Sequence, residues 1–164
     1  MSTHTQSPTG NNSAPFDSWP LILRDSVKEV FSMMVGAEIL VPEQADPPIV
    51  TEVTGMVGLA GEICGVLSVR CGKHCASKIA SKMLGVPVTE AASHMSDAIG
   101  EICNMVAGNF KAKLDGVQDK CMLSVPTIIT GGDYQLSSLA VGDRIELPFF
   151  FDGEAIWIGL EVRS

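Results

Sequence analysis

Between Leu21 and about Leu40, apolar residues recur at three- and four-residue steps through Val27, Val30, Phe31, Met34 and Val35, which predicts an amphipathic helix. Val41-Pro42-Glu43-Gln44-Ala45-Asp46-Pro47-Pro48 cannot continue it, because each proline lacks an amide donor and pushes its predecessor toward extended geometry. Ile49 to Val57 and Ile63 to Val69 read as a hairpin around Gly58-Leu59-Ala60-Gly61-Glu62, with Gly55 and Gly65 weakening the pattern or marking bulges. Gly72 to Leu84 is helical in pattern and closes on Gly85 and Pro87, and Thr89 is placed to cap a longer helix reaching about Leu114. Strand patterns then cover Cys121 to Thr130, Arg144 to Phe151 and Ala155 to Val162, with Asp152-Gly153 as a two-residue hairpin turn between the last pair. The expected fold is α+β, with long helices on a largely antiparallel sheet.

Residues 1–19 are rich in Ser, Thr, Asn, Gly and Pro and predict a disordered tail, leaving 20–164 as a single domain. The chain has 164 residues, 46% of them hydrophobic and 18% charged, a balance too apolar for disorder and a length too short for two large domains. Its formal net charge of −8, without a basic run, argues against a sequence-independent grip on nucleic acid or anionic lipid. With no apolar run long enough for a bilayer and no export signal, the expectation is a soluble cytoplasmic protein whose partner is another protein or a small molecule. Cys64, Cys71, Cys75, Cys103 and Cys121 are an odd set and read as buried thiols rather than a disulfide framework.

The chain carries an internal echo. Asp25, Glu29 and Met33 fall on Asp97, Glu101 and Met105, and Gly36 on Gly108, at a constant offset of 72 residues. Each helix precedes a hairpin with Gly-Glu at its turn, Gly61-Glu62 and Gly153-Glu154, so two related helix-plus-hairpin halves are expected, against the plainer reading that two amphipathic helices look alike.

On the second of these helices, Asp97, Glu101 and Asn104 lie at i, i+4 and i+7 and share one face. Ala98, Ile99, Ile102, Cys103, Met105, Val106, Phe110 and Leu114 form the opposite, apolar arc, suited to packing on a sheet. Gly108 continues the polar stripe at a cost of about 1 kcal/mol relative to Ala, which a closely approaching partner surface would justify. By itself such a stripe is an ordinary solvated helix face. Two other signals are weak. Cys71-Gly72-Lys73-His74-Cys75 lacks a second ligand pair for a metal, and the glycines of Gly55 to Gly61 lack the Lys-Ser/Thr of a phosphate loop.

Asp97-x3-Glu101-x2-Asn104, followed 22 positions later by Pro126, resembles the signature of the CheX/CheC/FliY chemotaxis phosphatases. The run from Asp97 to Asn109 is particularly similar to the CheX branch, and the order of elements agrees over roughly 21–162. The resemblance implies a CheC/CheX-like α+β fold with pseudo-repeated halves. It also implies an enzyme, a phosphatase that hydrolyses the aspartyl phosphate of a CheY-like response regulator in chemotaxis or two-component signalling.

Carried over by motif position, Glu101 and Asn104 would be catalytic: Asn104 orients a water for in-line attack and Glu101 pairs with a receiver lysine. Asp97, Glu101 and Gly108 would form the partner-binding stripe, Asp97 in a supporting role. An amide suits this task because it offers both a donor and an acceptor without competing as a nucleophile. The chain itself would bind no cofactor, Mg²⁺ being expected on the receiver substrate. CheX-like proteins have one active helix, and here Ser32 replaces the amide in the first helix, so one site per chain is expected, with Glu29 a solvated surface residue. Ile145, Leu147, Phe149 and Phe151 alternate onto one face of the last hairpin and Phe150 and Trp157 onto the other, which is compatible with a two-sided core or an interface. The resemblance implies a homodimer built by joining two sheets. The rival readings are a non-enzymatic response-regulator binding module and a motor-switch scaffold domain.

Overall fold

A hairpin whose turn demands positive φ anchors one end of the sheet. Asp152 and Gly153 sit at φ 48° and 78°, the geometry that matches the twist of the flanking strands, and Phe151 pairs with Glu154 around them. The computed structural model describes residues 16–43, 47, 49–132, 134 and 142–163. Six strands form one antiparallel sheet: β1 (Val53–Gly61), β2 (Gly65–Cys71), β3 (Cys121–Leu123), β4 (Thr127–Thr130), β5 (Gly142–Phe151) and β6 (Glu154–Arg163). The order is β3-β1-β2-β6-β5, with β4 also paired to β1 beyond β3. Three helices, α1 (Trp19–Val30), α2 (Lys73–Leu84) and α4 (Met95–Ala112), pack over one face, and α3 (Val88–Ala91) is a single short turn between α2 and α4.

The expected α+β class holds, while several boundaries move. Ordered helical structure begins at Phe16, whose ring packs 5.1 Å from Trp19; Trp19 in turn is buried edge-on against Phe110 at 5.7 Å. The expected tail thus gives up its last four residues to the fold, and its remainder, 1–15, lies outside the described residues. The first helix stops short of Leu40. It widens into a π-helical turn over Phe31–Val35 and ends on Gly36 at φ 66°, a conformation glycine adopts without a Cβ penalty. The hairpin turn sits at Glu62–Cys64 rather than Gly58–Glu62, since Val57 and Leu59 belong to the buried face and hold β1 extended to Gly61. α2 closes on Gly85 at φ 68° as expected. The long helix does not start at Thr89: a 3-10 turn at Ala92–His94 separates α3 from α4, and Thr89 lies inside α3.

The single strand expected from Cys121 to Thr130 is two. Leu59 pairs with Leu123 and Met56 with Thr127, so two residues of β1 face three of the partner, Ser124, Val125 and Pro126. This is a β-bulge, and Pro126, which has no amide to donate, sits within it. Ser124 pins the corner by donating its N–H to the Gly58 carbonyl (2.9 Å) and accepting the Gly58 N–H on its hydroxyl (2.8 Å). The extra residue shifts the side-chain alternation, so that Leu123 and Ile128 both face the helices.

The two hairpins, β1–β2 and β5–β6, meet along β2–β6. Each helix of the sequence echo crosses to the other half: α4, which precedes β5–β6, lies on β1 and β2, whereas the end of the first helix reaches β5 through Phe31 and Phe151, 5.9 Å apart. The core between the helices and the sheet includes Phe31, Phe110, Phe149, Phe151, Leu67, Ile99, Ile102, Ile158 and Leu160. The last hairpin is apolar on its inner face as expected. On its outer face only the end with Pro148, Phe150 and Trp157 is apolar; toward the other end Arg144 pairs with Glu161 at 3.3 Å and Arg70 with Glu146.

Gly55 sets how closely α4 approaches. A Cβ there would lie 3.0 Å from Ile99 Cγ2, 3.3 Å from Ile128 Cδ1 and 3.5 Å from Cys103 Cβ, so the helix rests directly on the β1 backbone. Gly55→Val is expected to destabilise the fold by about 1–3 kcal/mol through overpacking. An unchanged urea midpoint would show that α4 does not depend on this contact.

Candidate functional site

α4 is held by its apolar arc. Ala98, Ile99, Ile102, Cys103, Val106, Ala107 and Phe110 are all buried, and Met105 is half-buried. That leaves the opposite arc outward, where the structure brings together the residues singled out by sequence. Asp97 and Glu101 are exposed, Asn104 is half-buried one turn on, and Gly108 follows on the same line. Among the described residues, none of the Asp97, Glu101 and Asn104 side chains has a hydrogen-bond or ion-pair partner. Two carboxylates and an amide are therefore presented to solvent on a rigid helix with their bonding capacity unspent.

Gly108 is not forced by packing, for a Cβ there would meet only Leu123 Cδ1, at 4.0 Å. Pro126 belongs to the site by position: a Cβ on Gly100 would lie 3.6 Å from Pro126 Cβ and 3.5 Å from Ile128 Cδ1. The bulge thus walls one side of the helix stripe, and the 22-residue spacing from Asn104 to Pro126 is the length of chain needed to finish α4 and return along β1.

The first helix does not reproduce this arrangement. Ser32 is exposed within the π-helical turn, where the added backbone residue breaks the α spacing from Asp25 and Glu29. Glu29 is exposed, yet it is not simply solvated, as the sequence suggested. Its carboxylate accepts from Lys113 Nζ at 2.6 Å and from Asn109 Nδ2 at 2.8 Å, which ties the first helix to the end of α4. The Lys113 ammonium, helped by the Asn109 amide, holds the Glu29 carboxyl below the usual glutamate range. Sequence reasoning missed this clamp. Its signal was present only as Asn109 and Lys113 at i and i+4 on the flank of α4, a spacing that points to a shared neighbour without naming it.

The cysteines contribute no reactive group to the stripe. Four are buried, whereas Cys64, in the β1–β2 turn, is exposed, contrary to expectation, because the displaced turn carries it out of the sheet. Burial pushes the Cys103 thiol up to about 12, and the adjacent Cys75 thiol together with burial raises Cys71 well above the ordinary range. Among the described residues no group of three or more His, Cys, Asp and Glu side chains is placed to hold a metal ion; His74 is exposed and faces Glu154 at 3.2 Å. No helix among them is long and apolar enough to cross a membrane.

Helices on one face of an antiparallel sheet, with an acid and amide stripe on the helix that crosses β1, define a CheC/CheX-like domain. A family model described as chemotaxis phosphatase CheX matches residues 53–150, and the chain belongs to that family. The chain is 27% identical over 146 residues to the CheY-P phosphatase CheX of Thermotoga maritima, covering 85% of this chain and 92% of the relative. Among solved structures it is similar in fold to a chain of the CheX-CheY-BeF3-Mg²⁺ complex from Borrelia burgdorferi. That match has a TM-score of 0.74 at 22% identity and covers 89% of this chain and 98% of the other. A CheC-like superfamily protein from Shewanella sp. PV-4 matches with a TM-score of 0.76 at 22% identity over 90% and 98% of the two chains. The resemblance read from Asp97, Glu101, Asn104 and Pro126 is confirmed at the level of family and fold.

The clamp makes a prediction about acid. Because folding depresses the Glu29 pKa, the stabilisation it gives is fully present above the unfolded glutamate pKa of about 4.3 and is lost as pH falls through the folded value. Glu29→Gln should lower the urea midpoint at neutral pH, and the difference from wild type should shrink progressively as the pH falls below the unfolded glutamate value and through the lower folded one. A difference that stays constant across this window would contradict an ionic role for Glu29.

Proposed function

We propose that this chain is a phosphatase of a phosphorylated CheY-type response regulator, hydrolysing the acyl phosphate on the receiver's aspartate. The observation that carries the reading is the outward, unpaired Glu101 and Asn104 on a helix whose other face is locked into the core. Membership of the chemotaxis phosphatase family and the likeness to a CheY-P phosphatase over most of both chains support it.

Hydrolysis at phosphorus needs a water aligned opposite the leaving carboxylate, and charge neutralisation on the phosphoryl oxygens. The Asn104 amide supplies the first: its carbonyl accepts from the attacking water and its NH₂ is free to donate toward the phosphoryl oxygens, with no covalent bond to this chain. The second is left to the receiver, on which Mg²⁺ belongs to the phosphorylated substrate. Glu101, one turn earlier, pairs with a receiver lysine and fixes the register of docking, and Asp97 adds negative charge at the start of the same stripe. The absence of a side chain at Gly108 lets the receiver backbone come close to the helix. A binding module without activity would present the same charges but has no use for a water-orienting amide at the centre of the stripe.

Asn104→Ala is expected to lower kcat for phosphate release by about 100-fold while leaving receiver affinity within a few-fold. Glu101→Lys should instead weaken binding by more than tenfold, since it sets like charges against each other. Steady-state phosphate release from a phosphorylated receiver in Mg²⁺, with binding measured separately, checks both. Full activity in both variants would reject this site.

We also propose that the active form is a homodimer made by joining sheet edges. Among the described residues, β5 has no strand beyond it apart from the single bridge from Leu40 to Phe150. Light scattering at micromolar concentration should return twice the 17.4 kDa chain mass. A monomer at that concentration would remove the proposal.

A further inference from the structure

The bulge beside α4 leaves one side chain without a structural task. Val125 is 84% exposed, the highest value of any large apolar residue described, on a corner that Ser124 pins rigidly to Gly58. The residues around it do have partners: Leu123, at the end of β3, approaches Gly108, and Pro126 approaches Gly100. Gly100 and Gly108 lie four residues to either side of Asn104, which is about 6 Å along the helix axis. The corner therefore runs alongside the stripe from Gly100 to Gly108, with Asn104 between them.

We infer that the Leu123-Ser124-Val125-Pro126 corner is the apolar half of the receiver-docking surface, with Val125 as the side chain that the partner covers. The inference rests on the phosphatase reading above and names what that reading leaves open, namely what holds the receiver besides charge. A specific protein interface covers about 800 Å² on each partner, a patch of roughly 16 Å radius. A patch of that size centred on Asn104 extends over the corner that flanks Gly100 and Gly108. Interfaces also place their apolar contacts at the centre and leave charges toward the rim, whereas the helix stripe carries Asp97 and Glu101 and no exposed apolar side chain. The corner supplies the missing component, and the bulge that aims Val125 outward is what puts it there. The matching receiver surface carries an apolar side chain next to its phosphorylation pocket.

The roles are then divided. Asn104 acts on the reacting atoms, and Val125 acts on affinity and partner choice. Val125→Asp is expected to raise KM for the phosphorylated receiver by about tenfold or more, with kcat at saturation within twofold of wild type; Val125→Ile should restore the wild-type KM. Val66→Asp is the control, because Val66 is 42% exposed on β2 facing away from the helices, and it should leave both constants unchanged. Matching urea midpoints for the Val125 variants and wild type show that the fold is intact. A KM within twofold for Val125→Asp, or an equal rise for Val66→Asp, overturns the inference. A wild-type protein that does not accelerate phosphate release at all instead overturns the phosphatase reading, so the two failures are distinct.

Discussion

The contact between α4 and the backbone of β1 at Gly55 governs the rest of the structure. Because no side chain intervenes, Ile99 and Cys103 lie directly on the strand, and the apolar arc of α4 from Ala98 to Phe110 is buried along its length. A helix held this way cannot rotate without exposing that arc, so the direction in which Asp97, Glu101 and Asn104 point is fixed by the core rather than by bonds among themselves. The bulge at Ser124 to Pro126 and the Glu29 clamp to Asn109 and Lys113 lie on the two flanks of the same helix. Burial provides the rigidity, and the site needs no internal hydrogen-bond network to acquire it.

That economy suits the chemistry proposed for it. Hydrolysis of an acyl phosphate asks chiefly for alignment, and when the substrate protein carries the metal, one amide at a fixed height above the helix surface can supply the missing geometry. The first helix does not form the same arrangement. It retains Asp25 and Glu29, but a π-helical turn disrupts the spacing to Ser32, and the carboxylate that corresponds to Glu101 has become a strut between helices. The same spacing of residues is thus left outward and unpaired on α4 and tied up between helices on the first.

Much of this was legible in the residues. Helical periodicity separated the two faces of α4, Gly85 marked the end of α2, and Asp152-Gly153 marked the last turn. The boundaries that moved did so for reasons that lie between segments distant in sequence. The hairpin turn shifted because Val57 and Leu59 gain more by facing the core than Gly58 gains by turning. The strand after Cys121 divided because Pro126 and one extra residue must be accommodated against β1. Trp19 follows a tail-like composition, and its burial comes from Phe110, 91 positions away. The pairing of Glu29 with Asn109 and Lys113 and the exposure of Val125 were likewise outside the reach of local pattern, since each depends on which elements become neighbours.

In the proposed reaction a water held by this chain attacks phosphorus without a covalent intermediate on the chain. A single turnover of a phosphorylated receiver in ¹⁸O-water, with mass analysis of the released phosphate and of both proteins, tests it directly. The expected result is faster release than from the receiver alone, one solvent oxygen in the phosphate, none in the receiver's aspartate and no phosphoryl group on this chain. Solvent oxygen in the aspartate, or phosphate trapped on this chain, would contradict it.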